Sequence, residues 1–418
     1  MIRLLLVFIE RNIKTIIKFE LKVLMLISEL DLNNKKVLVR VDFNVPMNKD
    51  LKVADNTRIK SSLKTILYII KNGGTCILIS HMGRPSGFEK KLSLKNIVEE
   101  LENLLNKKIT FLDDCIGDKT KKVCQESEKG DVILLENLRF YPEEEEADVN
   151  FARALSLLGD IYINDAFGTA HRNHASTGIL PTFFKGKKGM GLLLSKEVDA
   201  IDKVLKNGQP PILSIIGGAK VSSKIEILKN LTNIVDDLII GGGMAYTFIK
   251  ASGGEIGKSL CEEAFLDEAQ KILLLAKEKN IKVHLPQDVI VSEKFSNSAF
   301  TDTVNIYSIP RTMEGLDIGP SSIKKFNKII LNSKTILWNG PLGVFEMSNF
   351  QNGTKQVALS IANATKLGAF SLVGGGDSIS AINLFGMDDK FSYISTGGGA
   401  MLESIEGKVL PGIKAVLN

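Results

Sequence analysis

Residues 212–220 read ILSIIGGAK, a five-residue apolar run closed by two glycines, an alanine and a lysine. The run is too short for a helix, rich in Ile and Leu, and lacks polar alternation. That pattern reads as a strand buried on both faces of a parallel sheet, with a loop at its carboxyl end. The same reading recurs upstream at 37–41, 76–79, 132–135 and 161–163, and downstream at 238–240, 283–285, 335–338, 370–373 and 393–394. Amphipathic stretches at 93–105, 262–279 and 321–332 lie between such runs. Strands alternating with helices predict an α/β fold built of βαβ units. In such folds ligands bind beyond the carboxyl ends of the strands, and each run here ends in a polar or glycine-rich cluster.

The clusters differ between the two halves. The first half carries cations and polar groups: Asp42-Phe43-Asn44, His81-Met82-Gly83-Arg84, Glu136 to Arg139, and Asn164 to His174. The second half carries glycine: Gly217-Gly218-Ala219-Lys220, Gly241-Gly242-Gly243, Asn339 to Gly343, Gly374-Gly375-Gly376-Asp377 and Gly397-Gly398-Gly399. One half is suited to a small polyanion held by side chains, the other to a nucleotide held by backbone. The split predicts a transfer between two ligands.

A chain of 418 residues suits two domains. The predicted organisation is a first domain over 28–190, a connecting helix over 191–206, a second domain over 207–400 and a tail over 401–418. The overall class is two doubly wound parallel-sheet, Rossmann-like domains joined by a helix and hinge, with 397–399 a candidate hinge. The net charge of +5 and an aromatic content of 6% lack the dense basic, aromatic-bearing stripe of a nucleic-acid binder. Four cysteines without Cys-x-x-Cys spacing argue against a disulfide scaffold and fit a reducing compartment. No stretch reaches the roughly 18 apolar residues of a membrane span. The first 27 residues are apolar but interrupted by charge. Globular patterning begins just after Met25, which predicts Met25 as the true start. The acidic run 143–146 reads as a solvated loop or helix start.

Four arginines, Arg58, Arg84, Arg139 and Arg172, fall in or near strand-end loops of the first half. A guanidinium fork matches carboxylate and phosphate geometry, so converging arginines suit a phosphorylated acid. Asp42 and Asn44 are suited to bind a hydroxyl or orient an arginine. His171 and His174 have ligand spacing for zinc, but the arginines around them would repel a cation. In the second half, Gly217 to Lys220 leads into 221–230, which reads as helical, and Gly374 to Ser378 leads into another helix. Glycine lets backbone N–H groups approach an anion, and a helix N-terminus adds partial positive charge. Lys220 and Lys224, four apart, are expected on one helix face. Asp377 is suited to hold Mg²⁺ on nucleotide phosphates. Residues 253–259, GGEIGKS, resemble a Walker A loop but have the wrong glycine spacing and follow a helical pattern.

Taken together, these segments closely resemble the phosphoglycerate kinase family. The matching stretches are 39–46 (VRVDFNVP), 80–85 (SHMGRP), 164–176 (NDAFGTAHRNHAS), 217–225 (GGAKVSSKI), 317–320 (DIGP), 338–346 (WNGPLGVFE), 374–378 (GGGDS) and 395–400 (STGGGA). The resemblance implies reversible phosphoryl transfer between 1,3-bisphosphoglycerate and ADP, giving 3-phosphoglycerate and ATP, in a monomeric cytoplasmic enzyme. It implies a C-terminal tail packed back on the first domain. Asp42, Phe43, Asn44, Arg58, His81, Met82, Gly83, Arg84, Arg139 and Arg172 would hold the glycerate. Gly217, Lys220, Lys224, Gly241, Gly242, Gly315, Asn339, Glu346, Gly375, Gly376, Asp377 and Ser378 would hold the nucleotide. Glu346 would lie on the ribose hydroxyls and Asp377 would hold the magnesium. Arg58, Lys220, Gly375 and Gly376 would stabilise the phosphoryl group in flight. Ser223 stands where many members have aspartate, and Tyr393 where histidine is frequent.

Overall fold

The computed structural model describes residues 25–417; the reading of the first 24 residues, and of where the chain starts, lies outside them. The chain divides into two compact units, one running up to Lys196 and resuming at Val409, the other spanning Glu197–Lys408.

The strands, in chain order, are β1 Lys36–Arg40, β2 Thr75–Ile79, β3 Thr110–Leu112, β4 Val132–Leu135, β5 Ile161–Asn164, β6 Lys188–Met190, β7 Ile212–Ile216, β8 Asp237–Ile240, β9 Glu255–Ile256, β10 Lys282–His284, β11 Asp288–Ser292, β12 Thr301–Asn305, β13 Ser308–Ile309, β14 Glu314–Ile318, β15 Thr335–Asn339, β16 Phe370–Gly374 and β17 Tyr393–Ile394. The first unit holds a six-stranded sheet ordered β3-β4-β2-β1-β5-β6, and the second a six-stranded sheet ordered β10-β8-β7-β15-β16-β17. Every pairing in both sheets is parallel. All strand carboxyl ends of a sheet therefore share one edge. In each sheet the order reverses beside a central strand, between β1 and β5 in the first and between β7 and β15 in the second. That is where doubly wound folds open a crevice for ligand.

Burial explains the unbroken apolar runs. All five residues of β2, β7 and β15 are buried. The helix Thr57–Lys71 places Ile59, Ile66 and Ile69 against the first sheet. Each fully buried aliphatic side chain contributes roughly 1.5–3 kcal/mol. Phe326, Ile330, Val357 and Ile361 cover the second sheet from two helices, Pro320–Asn332 and Asn352–Lys366.

Three features depart from the sequence reading. The second unit carries an additional antiparallel sheet, ordered β12-β11-β14, over a small core of its own around Tyr246, Val289 and Val291. The helix expected from 221 begins only at Ile225. Glu262 pins the preceding turn, accepting the Ser222 backbone N–H at 2.9 Å and its hydroxyl at 2.7 Å. Finally, the acidic run does start a helix, Pro142–Glu145, as one of its two readings had it, but it is not solvated throughout, because Glu144 is fully buried.

The helix Leu192–Leu205 falls within the span 191–206 expected to be helical. Asp165, at the end of β5, starts it by accepting the backbone N–H groups of Leu193 and Leu194 at 2.9 and 3.1 Å. Near the chain end, Gly412 accepts from the Asn164 side chain at 3.0 Å and donates to the Ala170 carbonyl at 2.8 Å. The four cysteines are free. Among the described residues no helix is long and apolar enough to cross a membrane.

Candidate active site

In the first unit the site grows from the ends of β1, β2, β4 and β5. The turn after β1 is fixed by bonds to the turn after β2: the Phe43 backbone N–H donates to Ser80 Oγ at 2.9 Å, and Asn44 Oδ1 accepts the Gly83 N–H at 2.9 Å. Gly83 sits at φ +62°, where a side chain would be strained and would meet Leu92. Asn137 clamps Met82 from both sides, accepting its N–H at 3.1 Å and donating to its carbonyl at 2.8 Å. Phe43 and Met82 themselves are core residues. They shape the site through backbone rather than side chain.

The arginines converge. Arg58, in the first turn of the helix Thr57–Lys71, lies 3.2 Å from Asp42 and donates to the Asn44 carbonyl at 2.9 Å. Arg139 reaches the Gly83 carbonyl at 2.8 Å and lies 2.9 Å from Glu145. Arg84 and Arg172 are exposed. The fields of Arg58, Arg139 and Arg172 meet at the histidines. Burial, then Arg40, Arg139 and Arg58, push His81 well below its ordinary pKa. Burial, then Arg139, Arg40 and Arg172, push His174 down to about 4. Both rings are therefore neutral at physiological pH.

Sequence reading missed Arg40. It ends β1 fully buried, with Nε donating to Ser176 Oγ at 2.8 Å and Nη2 lying 3.2 Å from His81 Nδ1. The signal was present: an arginine inside the run VLVRV must find buried partners or break the strand.

In the second unit, three glycine turns meet backbone to backbone at the sheet's switch point. Gly217 N–H donates to the Asn339 carbonyl and Gly218 N–H to the Pro341 carbonyl, both at 2.9 Å. A methyl group added at Gly217 would lie 2.1 Å from the Pro341 carbonyl oxygen. Gly217 and Gly241 thus serve close packing and do not line the cavity. The wall is instead formed by Gly218, Ala219, Lys220, Lys224, Asn339, Gly340, Gly375, Gly376, Asp377 and Ser378, around a space of about 340 Å³. Gly375, at φ +94°, turns the chain into the helix Gly376–Leu384, whose free N–H groups open beside this space. Ser378 Oγ accepts the Gly340 N–H at 2.7 Å and so joins two of the turns.

The two lysines do not share a helix face. Both precede the helix at Ile225. Lys220 is exposed at the rim, whereas Lys224 is folded inward. Lys224 Nζ donates to the Gly217 carbonyl at 2.7 Å and to Asn339 Oδ1 at 2.6 Å, with the Asn339 carbonyl 3.2 Å away. Burial lowers its pKa to about 8, opposed by the charge of Asp377. A desolvated ammonium beside a chain of glycine amides is a receptor for anionic oxygen.

A second cavity of about 590 Å³ continues from the first, sharing Gly218, Ala219 and Asp377. Its wall includes Tyr246, Leu260, Phe295, Gly315, Leu316, Leu342, Val344 and Glu346. A side chain at Gly315 would collide with the Tyr246 hydroxyl at 2.2 Å. The sequence reading found Gly315 and Glu346 here but not Tyr246, Leu260 or Phe295, which arrive from three separate segments. An apolar slot beside an anion cradle, with the exposed Glu346 carboxylate at its rim, has the form of a nucleoside pocket.

Among the described residues no group of three or more His, Cys, Asp or Glu could hold a metal ion. Asp377 is exposed beside the phosphate-sized cavity. One carboxylate in that place fits Mg²⁺ carried in on phosphate oxygens, which completes its shell with waters.

The family model for phosphoglycerate kinase matches residues 27–408. A phosphoglycerate kinase of Porphyromonas gingivalis is 48% identical over 416 residues, covering 94% of this chain and 100% of that protein. One of Dictyoglomus turgidum is 48% identical over 383 residues, covering 92% of this chain and 96% of its own. The solved structure of phosphoglycerate kinase from Coxiella burnetii superposes with a TM-score of 0.88 at 41% identity, covering 94% of this chain and 98% of that one.

Proposed function

This chain belongs to the phosphoglycerate kinase family, and we propose that its arginine cluster holds the phosphorylated glycerate while its glycine cradle holds the nucleotide. Its reaction is reversible phosphoryl transfer from 1,3-bisphosphoglycerate to ADP, giving 3-phosphoglycerate and ATP, in glycolysis and gluconeogenesis. The observation that carries the assignment of sites is the contrast at the two switch points: guanidinium groups on one sheet edge, backbone amides and a buried lysine on the other.

The chemistry asks little of acids and bases. An acyl phosphate has a good leaving group, and the attacking β-phosphate oxygen of ADP is already ionised. Neutral His81 and His174 suit a reaction that needs no general base. What is required is alignment and stabilisation of charge on the moving phosphoryl group. Arg58 is held in place by Asp42 and the Asn44 carbonyl before substrate arrives. It therefore meets the charge without reorganising. Lys220, at the rim, and the free amides at Gly375–Gly376 do the same from the nucleotide side. Magnesium, with Asp377 as its protein ligand, would neutralise phosphate charge. Transfer needs reacting oxygens within about 3–3.5 Å and water excluded. Cytoplasmic placement and a monomeric state belong to the same proposal.

The assay couples ATP consumption to added acid. Turnover with 3-phosphoglycerate and none with acetate or aspartate is expected. Equal turnover with either of the simpler acids would overturn the glycerate assignment.

Lys224 gives a pH test. An unfolded lysine keeps its proton to about pH 10.4, whereas this one holds it only to about 8. The unfolded chain thus binds more protons between those values, and stability of the free protein rises with pH across that window. A bound phosphate favours the charged form and raises the folded pKa. Nucleotide binding at about pH 9 is therefore expected to take up protons, an uptake that fades toward about pH 6.5. Titrations in two buffers of different ionisation enthalpy measure it. Equal heats at pH 9 in both would count against Lys224 as a phosphate contact.

A further inference from the structure

Beneath the arginine cluster runs a buried chain of polar groups that phosphoryl transfer itself does not call on. Glu144 is fully buried. It accepts the Ser176 backbone N–H at 2.9 Å on Oε2 and the Ser176 hydroxyl at 2.5 Å on Oε1. With its O–H donated to Glu144, the Ser176 oxygen is free to accept, and it receives Arg40 Nε–H at 2.8 Å. Arg40 Nη1 donates to the Val41 carbonyl, and Nη2 lies 3.2 Å from His81 Nδ1. A guanidinium offers only donors. His81 Nδ1 must then accept, which places the ring's single proton on Nε2.

We propose that Glu144 is a positioning residue: through Ser176 and Arg40 it holds His81 in the Nε2–H tautomer, as a neutral donor for the bound glycerate. The inference rests on the glycerate reading of this cluster. The direction of each bond in the chain follows from its carboxylate end. A carboxylate only accepts, so Ser176 must donate to it and accept from Arg40, and Arg40 must donate onward. The surroundings agree. The charged and titratable groups that act on His81 are Arg40, Arg139, Arg58 and His174, so a second ring proton would face only positive charge or another imidazole. Around Glu144 stand Arg40, Arg139 and, at 3.9 Å, His174 Nδ1. Burial raises the Glu144 pKa, and Arg40 with the two Ser176 bonds opposes that rise. Glutamine at 144 could donate as well as accept. Ser176 would then no longer be obliged to turn its lone pair toward Arg40, and the orientation of Arg40 would be lost.

The test combines spectroscopy and kinetics on the full chain. Long-range nitrogen–proton spectra of the histidine rings, with His81 assigned by its loss in His81→Asn, are expected to show an Nε2–H ring that does not titrate from pH 8 to pH 6. Glu144→Gln is expected to mix the tautomers and to raise KM for 3-phosphoglycerate about tenfold, the size of one charge-assisted hydrogen bond, with KM for ATP unchanged. Ser176→Ala, which keeps the carboxylate but removes the relay, is expected to act in the same direction and decides the matter if Glu144→Gln does not fold. An Nδ1–H ring at His81 in the unmodified protein would overturn the proposal. So would a folded Glu144→Gln, or a folded Ser176→Ala in its place, with unmoved tautomer and KM. Absence of any turnover with 3-phosphoglycerate in the unmodified protein would instead strike the glycerate reading, while the tautomer spectrum would still report on the relay.

Discussion

Arg58→Ala is expected to lower turnover about 100- to 1000-fold, the loss that follows removal of one preorganised electrostatic contact to a transition state. The side chain is anchored at both ends of its reach: its helix starts at Thr57, and its guanidinium is fixed by Asp42 and the Asn44 carbonyl. It is 38% exposed, so its ion pair with Asp42 adds little to stability, about 0–1 kcal/mol. The variant should therefore melt near the unmodified protein while losing turnover, and the KM for ATP should hold. A folded Arg58→Ala with nearly normal turnover would remove Arg58 from the mechanism.

Lys224→Ala is expected to weaken ADP binding about 10- to 100-fold, the worth of one or more charge-assisted bonds to phosphate, and to leave 3-phosphoglycerate binding unchanged. Its ammonium also ties the turn at Gly217 to the end of β15 at Asn339. The substitution leaves Asn339 Oδ1 without that donor, which costs about 1–3 kcal/mol, offset in part by relief of the buried charge. A melting curve and a calorimetric titration separate the two effects. Unchanged ADP affinity in a folded variant would mean that Lys224 only braces the turns.

Much of this arrangement could be read from residue order. Short runs such as ILSII and TILW are apolar on both faces because helices cover both faces of their sheet, so strand position and the loop that follows are legible together. β3 and β6 escaped because Thr110–Leu112 is only three residues long and Lys188–Met190 is built of a lysine, a glycine and a methionine. β12 escaped because Thr301–Asn305 is a largely exposed edge strand with no buried face to impose a pattern. The start of the helix at Ile225 depends on Glu262, forty residues away in sequence, and no local signal carries such a contact. The same holds for Glu144. A run of four glutamates reads as a solvated loop or helix start until one knows that Ser176, from the helical turn Ala175–Ile179, and Arg40, at the end of β1, close over its second member. Cationic side chains and glycines at strand ends announce themselves; the buried groups that orient them are fixed only by the fold.

Asp377 and Glu346 illustrate the same division from the other side. Both are exposed on cavity rims, outside the hydrophobic cores, so their proposed roles rest on chemistry rather than on stability. Tyr393, where the family more often has histidine, lies in a strand beside Ser395 and Thr396, and Glu197 gathers these groups by accepting the Thr396 backbone N–H at 2.9 Å and its hydroxyl at 3.0 Å.

A crystal of the full chain grown with 3-phosphoglycerate and a non-hydrolysable magnesium–ATP analogue would decide the placement of both ligands at once. The acid should lie against Arg58, Arg139 and Arg172, and the terminal phosphates against Lys224 and the Gly375–Gly376 amides, with Asp377 on the metal. Density for the acid in the glycine cradle, or for the phosphates among the arginines, would contradict the division of labour on which everything above depends.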